Sequence, residues 1–393
     1  MTDCVIIGGG VIGLSIAREL AGRGARVEVV SRAVGRDTAS WAAAGIFPPA
    51  PDDADASPGD RLTAWSDALH RTWAQELLVE TGIDNGLRRC GGLHVAASDA
   101  GLDRLAIAAT SWRRRGARCA WLTAADIRSR EPALAAAIDH GGVRAGFLLP
   151  EEMSLRPPRH LEALAASCRG RGITITAAEV RGIDVRDGKV AGVVTDVGVV
   201  RGGAYCLATG AWSGSVAASL GIAIDTRPIR GQIVLLRLPR QVLGRVVNFG
   251  VDYLVPRDDG RLLVGSTIED AGFTPTTTPE AVERLLGVAH RLLGRLPDAT
   301  VEQAWAGLRP GSVDGLPTLG PIPTLRNAFV ATGHFRAGLH QSTGTAVLLA
   351  DLITGVEPSI DPVPFSPLRP ADTAAPSPDS VAAHLERAAT TVP

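Results

Sequence analysis

With 393 residues the chain can form two domains with large cores, and its formal charge of -1 with dispersed basic residues argues against nucleic-acid binding. Its five cysteines (Cys4, Cys90, Cys119, Cys168, Cys206) lack Cys-x-x-Cys spacing, which argues against zinc or a disulfide framework and for reduced thiols in a cytoplasmic protein. There is no signal-peptide pattern or apolar run long enough to span a bilayer, and the single lysine, Lys189, sits in a hairpin-turn pattern with no role as a pyridoxal anchor.

The first thirty residues carry the strongest pattern. Val5-Ile6-Ile7 runs into Gly8-Gly9-Gly10-Val11-Ile12-Gly13, Leu14, Ala17, Leu20 and Ala21 then repeat at helical spacing, and Val27, Val29 and Val30 open a second apolar run. This predicts strand, glycine turn, helix and strand, the arrangement that binds a dinucleotide; the alternative is an ordinary glycine-rich turn. Gly8 permits the turn, Gly10 admits a pyrophosphate, and Gly13 lets helix and strand pack closely. The helix N-terminus offers free N–H groups to phosphate. The usual ribose-binding acid is replaced by Ser31, followed by Arg32, a pair that also suits the extra phosphate of NADP. Strand alternation turns Glu28 away from that face.

From Arg36 to Pro49 the chain passes from polar residues (Asp37, Thr38, Ser40) to small ones (Ala42-Ala43-Ala44-Gly45). It suits either contact with a pyrophosphate and a planar ring or a flexible connector. Pro48 to Asp60 reads as a surface loop. Leu62, Trp65, Leu69, Trp73 and Leu77 predict a helix with tryptophans in the core. A strand over 91–95, a helix over 102–115, an N-cap at Thr123, a strand over 141–150 and a helix over 158–171 follow. Short strands are expected over 173–177, 180–185, 190–195 and 199–201. Tyr205-Cys206-Leu207-Ala208-Thr209-Gly210-Ala211-Trp212 then returns to the nucleotide crevice.

Strands over 231–238, 251–256 and 261–267, with a turn at Asp258-Asp259-Gly260, predict an antiparallel sheet over a pocket, and a helix covers 279–296. A third return comprises Ala304 to Gly311, Asp314 to Pro321, a strand at 328–332, the stretch Gly333-His334-Phe335-Arg336-Ala337-Gly338-Leu339 and a helix to about Ile353. A second anion-ready helix start suits a flavin better than a nicotinamide.

Gly8 to Gly13, Thr38 to Gly45, Ala208-Thr209-Gly210-Ala211-Trp212-Ser213, Tyr253-Leu254-Val255-Pro256-Arg257, Trp305-Ala306-Gly307-Leu308-Arg309-Pro310 and Gly333-His334-Phe335-Arg336, in that order, resemble the D-amino-acid oxidase superfamily. Within it, the chain is most similar to the glycine oxidases of thiamin biosynthesis. The resemblance runs from Val5 to about Gly355. It implies an α/β fold: a Rossmann-type, glutathione-reductase-like FAD-binding domain (1–90, 141–225 and 300–355) with an inserted antiparallel-sheet substrate domain (91–140 and 226–299). Residues 356–393, rich in Pro, Ala and Ser, lie outside it and read as a poorly ordered tail.

The resemblance also implies roles. FAD, held noncovalently, would meet Gly8, Gly10, Val11, Ile12, Gly13, Ser31, Arg32, Thr38, Ser40, Ala43, Ala44, Gly45, Val180, Thr209, Gly210 and Trp212, with His334, Arg336, Ala337, Gly338 and Leu339 presented to the flavin ring. Arg309 would clamp the substrate carboxylate, Tyr253 would bond to it, and Arg336 would border the pocket; a structural ion pair for Arg309 and a core role for Tyr253 are the alternatives. Glycine or a similar small amine would pass a hydride from Cα to flavin N5, giving an imino acid and, with oxygen, hydrogen peroxide. No metal is required. A dehydrogenase feeding a quinone or partner subunit, and a flavin-binding protein without turnover, are the other readings. Ser31 and His340-Gln341-Ser342-Thr343 depart from the family pattern. The oligomeric state, homo-oligomer included, stays open.

Overall fold

A computed structural model describes residues 2–32, 38–51, 56–296 and 298–370. Arg36 and Asp37, the middle of the loop expected over 48–60, and the tail from 371 onward lie outside the described residues.

Two sheets organise the chain. The first has six strands in the order Thr318–Pro321, Ala328–Thr332, Gly202–Leu207, Thr2–Ile7, Val27–Ser31 and Thr174–Ala177, the last five parallel. Alternation sorts its side chains: Cys4, Ile6, Val27 and Val29 pack toward the helices Val11–Gly22, Pro157–Gly170 and Ser342–Thr354, whereas Val5, Ile7 and Val30 pack toward a three-stranded antiparallel layer spanning 180–200. Helix Pro58–Thr81 joins the helical side. Its start is fixed by Pro58 at the first position and Ser57 accepting from the Asp60 N–H, and its end by Gly82 at φ 70°.

The second sheet has eight strands in the order Thr300–Gly311, Arg227–Arg237, Arg261–Gly265, Asp252–Pro256, Val246–Phe249, Gly92–Ala96, Ala145–Leu149 and Ala120–Thr123. Every pairing is antiparallel except that of Val246–Phe249 with Gly92–Ala96. One face (Val234, Leu236, Leu254, Val264) packs on helix Pro279–Leu293; the other (Ile233, Tyr253, Val255, Trp305) turns toward the first sheet.

Three expectations are corrected. The strands Ala145–Leu149 and Thr300–Gly311, in segments expected to belong with the glycine turn, pair into the eight-stranded sheet. The strand signal of Thr300–Gly311 is weak because Gly307, Pro310 and Gly311 depress strand propensity, yet Gly307 is small for a reason: a Cβ there would meet the Ala42 Cβ at 2.4 Å. Residues 356–370 are not a loose extension. Phe365 is buried, and the Arg369 guanidinium bonds to Asp314, the Thr318 hydroxyl and the carbonyls of Leu316 and Pro317.

Candidate active site

The two sheets face each other across a cavity of about 1770 Å³, larger than the usual drug-sized pocket and of a size for a dinucleotide with a substrate. Its walls are built from segments far apart in sequence.

At one end lies the glycine turn. Gly8, at φ 118°, sits so close to the neighbouring strand that a Cβ would be 2.3 Å from the Ala208 carbonyl oxygen. Helix Val11–Gly22 starts here with the Val11 N–H donating to Ser40 Oγ at 2.9 Å, so the 38–45 segment is tied to the helix start. Among the expected cofactor contacts, Gly13 does not line the cavity. A Cβ there would stand 1.9 Å from the Gly8 carbonyl oxygen, so a glycine at this position lets the helix pack closely on the turn, as expected from the sequence. Beside the turn, Ser31 Oγ donates to the Arg32 carbonyl, the Arg32 guanidinium lies 4.3 Å from the Trp212 ring centre, and Thr209 Oγ1 is 2.9 Å from Ser213 Oγ. Glu28 is taken up by Thr176 on the next strand, as alternation requires. Val180 and Gly210 complete this end.

The small-residue loop forms the middle. Ala43, Ala44 and Gly45 line the cavity, and Arg257, which the sequence reading left without a role, donates to the Ala44 and Leu155 carbonyls at 2.8 and 3.0 Å. Burial pulls the Arg257 pKa down to about 10, still cationic at neutral pH. Trp305 Nε1 donates to the Ala42 carbonyl, and Thr38 bridges to Leu308.

Opposite, the stretch before helix Ser342–Thr354 turns tightly, with Gly333 at φ 79° and Phe335 at φ 45°. His334, Arg336, Ala337, Gly338 and Leu339 line the cavity. His334 Nε2 pairs with Thr345 Oγ1, and burial pulls its pKa to about 3, so it is neutral and structural. Among the described residues, the N–H groups of Gly338, Leu339 and His340 meet no protein acceptor, although Leu339 and His340 are buried. Buried donors of this kind require a partner. An electron-rich ring edge supplies one, and the cradle at the other end suits a pyrophosphate; both fit FAD.

Arg309 stands on the eight-stranded sheet. Its Nη2 donates to Ser266 Oγ at 2.9 Å and its Nη1 to the Thr267 carbonyl at 3.1 Å. The guanidinium lies over Gly231, and the Tyr253 ring lies over Gly265; a Cβ at either glycine would collide with them at 2.2 and 2.6 Å. Burial, and then the proximity of Arg336, lowers the Arg309 pKa to about 10, which leaves it charged. Gly231, Gly265 and Ser266 were not singled out in the sequence. Their importance lies in what a neighbouring strand places above them.

Residues 3–352 match the family of FAD dependent oxidoreductases. The chain belongs to that family. As an FAD-dependent oxidoreductase it is 39% identical over 370 residues to a glycine oxidase of Pseudomonas aeruginosa, covering 92% of this chain and 98% of that protein. It is 36% identical to a bifunctional ThiO/ThiG protein of Nostoc, over 92% of this chain and 54% of that protein. The crystal structure of glycine oxidase from Geobacillus kaustophilus superposes with a TM-score of 0.87 at 33% identity, covering 93% of this chain and 98% of that one. No helix among the described residues is long and apolar enough to cross a membrane.

Proposed function

We propose that this oxidoreductase removes two electrons from glycine or another small amino acid, giving an imino acid and hydrogen peroxide. The observation that carries the reading is the pairing of Arg309 and Tyr253 inside the cavity that the glycine cradle closes at its far end. Arg309 keeps one face of a rigid fork for a carboxylate while its other donors are held by Ser266 and Thr267. Tyr253 adds a hydroxyl to the same carboxylate, and Arg336 borders the opening. A substrate fixed at its carboxylate presents its Cα–H in one orientation, and orientation supplies most of what this chemistry needs from protein.

Noncovalently bound FAD supplies the hydride acceptor, with oxygen as the terminal acceptor. The protein's part is to hold the cofactor with the Gly8–Val11 turn, the Thr38–Gly45 loop and the N–H groups of Gly338 and Leu339. Similarity to the bifunctional ThiO/ThiG protein supports a use of the imine in thiamin formation. Five free cysteines support a reducing, cytoplasmic setting.

The test is the absorbance of the purified protein during anaerobic titration with glycine, sarcosine and both enantiomers of alanine. A yellow protein that bleaches with glycine and recovers in air with peroxide supports the reading. Recovery only with a quinone moves it to the dehydrogenases, and a protein that takes up no FAD overturns it.

A further inference from the structure

A row of side chains crosses the cavity face of the eight-stranded sheet. Register pairs Gly265 with Tyr253, Tyr253 with Asn248, and Asn248 with His94. Paired residues share a face, and neighbouring strands are about 4.8 Å apart, so Asn248 lies roughly 5 Å and His94 roughly 10 Å along the sheet from Tyr253. The row therefore continues away from Arg309 as a polar strip.

Glu152 enters this strip from the turn after Ala145–Leu149. Its carboxylate lies over Gly92, where a Cβ would meet it at 2.2 Å. Oε2 is 3.3 Å from His94 Nε2, and Asn248 Nδ2 donates to Oε1 at 3.3 Å. His94, Asn248 and Glu152 line the same cavity as Arg309 and Tyr253. The Glu152 side chain is 0% exposed, and its one ionic partner among the described residues is His94, which is charged only when protonated. A buried carboxylate calls for a cation, and no Lys or Arg among the described residues supplies one here. Both hydrogen bonds are long, which leaves lone pairs to share.

We propose that Asn248 and His94, backed by the buried Glu152 carboxylate, form a second substrate subsite for a cationic side-chain terminus, so that small diamino acids are preferred substrates. The proposal rests on the oxidase reading, because Arg309 and Tyr253 fix the carboxylate from which the subsite is measured. One to two strand spacings suit an ammonium carried on two or three methylenes beyond Cα. Glycine would use the first site alone.

The experiment uses the FAD-loaded enzyme and charged–uncharged pairs of equal shape, in both enantiomers: 2,4-diaminobutyrate with norvaline, and ornithine with norleucine. The expected result is at least about 10-fold higher kcat/KM for one diamino acid than for its uncharged counterpart, falling toward parity in Glu152→Gln. Binding is read separately from turnover: 4-aminobutyrate should perturb the flavin spectrum at lower concentration than butyrate, and Glu152→Gln should remove the difference. Should that variant fail to fold, the wild-type comparisons decide alone. Uncharged amines used as well as their charged counterparts, or a preference that survives in Glu152→Gln, would overturn the subsite. If glycine bleaches the flavin while these results fail, only the subsite falls; if no amine bleaches it, both readings fall.

Discussion

The Arg309 guanidinium rests on the bare Cα of Gly231, two strands' worth of backbone holding a charge above a residue with no side chain. A methyl group at Gly231 would stand 2.2 Å from both Nη atoms, so Gly231→Ala must push the guanidinium off its Ser266 and Thr267 partners. The expected outcome is a fall in kcat/KM for glycine of about 10²-fold, the penalty for a displacement of about 1 Å at a reacting centre. FAD absorbance should be retained, because Gly231 belongs to neither the glycine turn nor the Thr38–Gly45 loop. Unchanged kinetics would show that Arg309 does not orient substrate.

Gly8→Ala attacks the cofactor end. Its φ of 118° and the 2.3 Å approach to the Ala208 carbonyl leave no place for a Cβ. Backbone strain by itself costs about 1–3 kcal/mol, and relief requires the two strands to part. The variant should purify colourless with a lowered Tm, and a yellow protein melting at the wild-type temperature would refute this.

Low pH should destabilise the helical layer through His160. It is fully buried, its Nδ1 faces Asn85 Nδ2 at 3.1 Å, and burial followed by the Arg18 charge pulls its pKa from 6.5 to about 4. The unfolded chain thus binds a proton that the folded chain refuses between about pH 6.5 and 4. Its stabilising contribution is complete above 6.5 and is lost as pH falls through this window, an effect on the order of a few kcal/mol. Denaturant titrations at pH 7.5 and 5 should therefore show the stability gap between wild type and His160→Gln narrowing at the lower pH. A gap that holds or widens would assign the acid sensitivity to carboxylates such as Glu80 and Asp259, whose pKa values lie near 2.

Arg369 ties residues 356–370 to the Asp314–Leu319 segment that borders the cavity. Arg369→Ala leaves the Asp314 carboxylate and the carbonyls of Leu316, Pro317, Phe365 and Ser366 without this donor and should cost about 2–3 kcal/mol. Limited proteolysis should then cut after residue 356 faster than in the wild type. Equal cleavage would mean that Phe365 packing is sufficient to hold the segment.

Local pattern was enough for the first strand, turn and helix, because alternation in Val5–Ile7, the helical repeat from Leu14 and the glycine spacing are all short-range constraints. The hairpin turn at Asp187-Gly188, with φ of 48° and 68°, was legible for the same reason. Arg309 and Tyr253 stood out only through a motif resemblance, and both line the cavity. What the tertiary structure decided was everything set by contact across strands. Thr300–Gly311 became a strand despite its glycines, and Arg369 anchored a stretch whose composition suggested none. Gly231, Gly265 and Glu152 have no local signature at all. A glycine under a guanidinium reads like any other glycine, and a buried carboxylate like any surface acid, until register places Arg309, Tyr253 and His94 beside them.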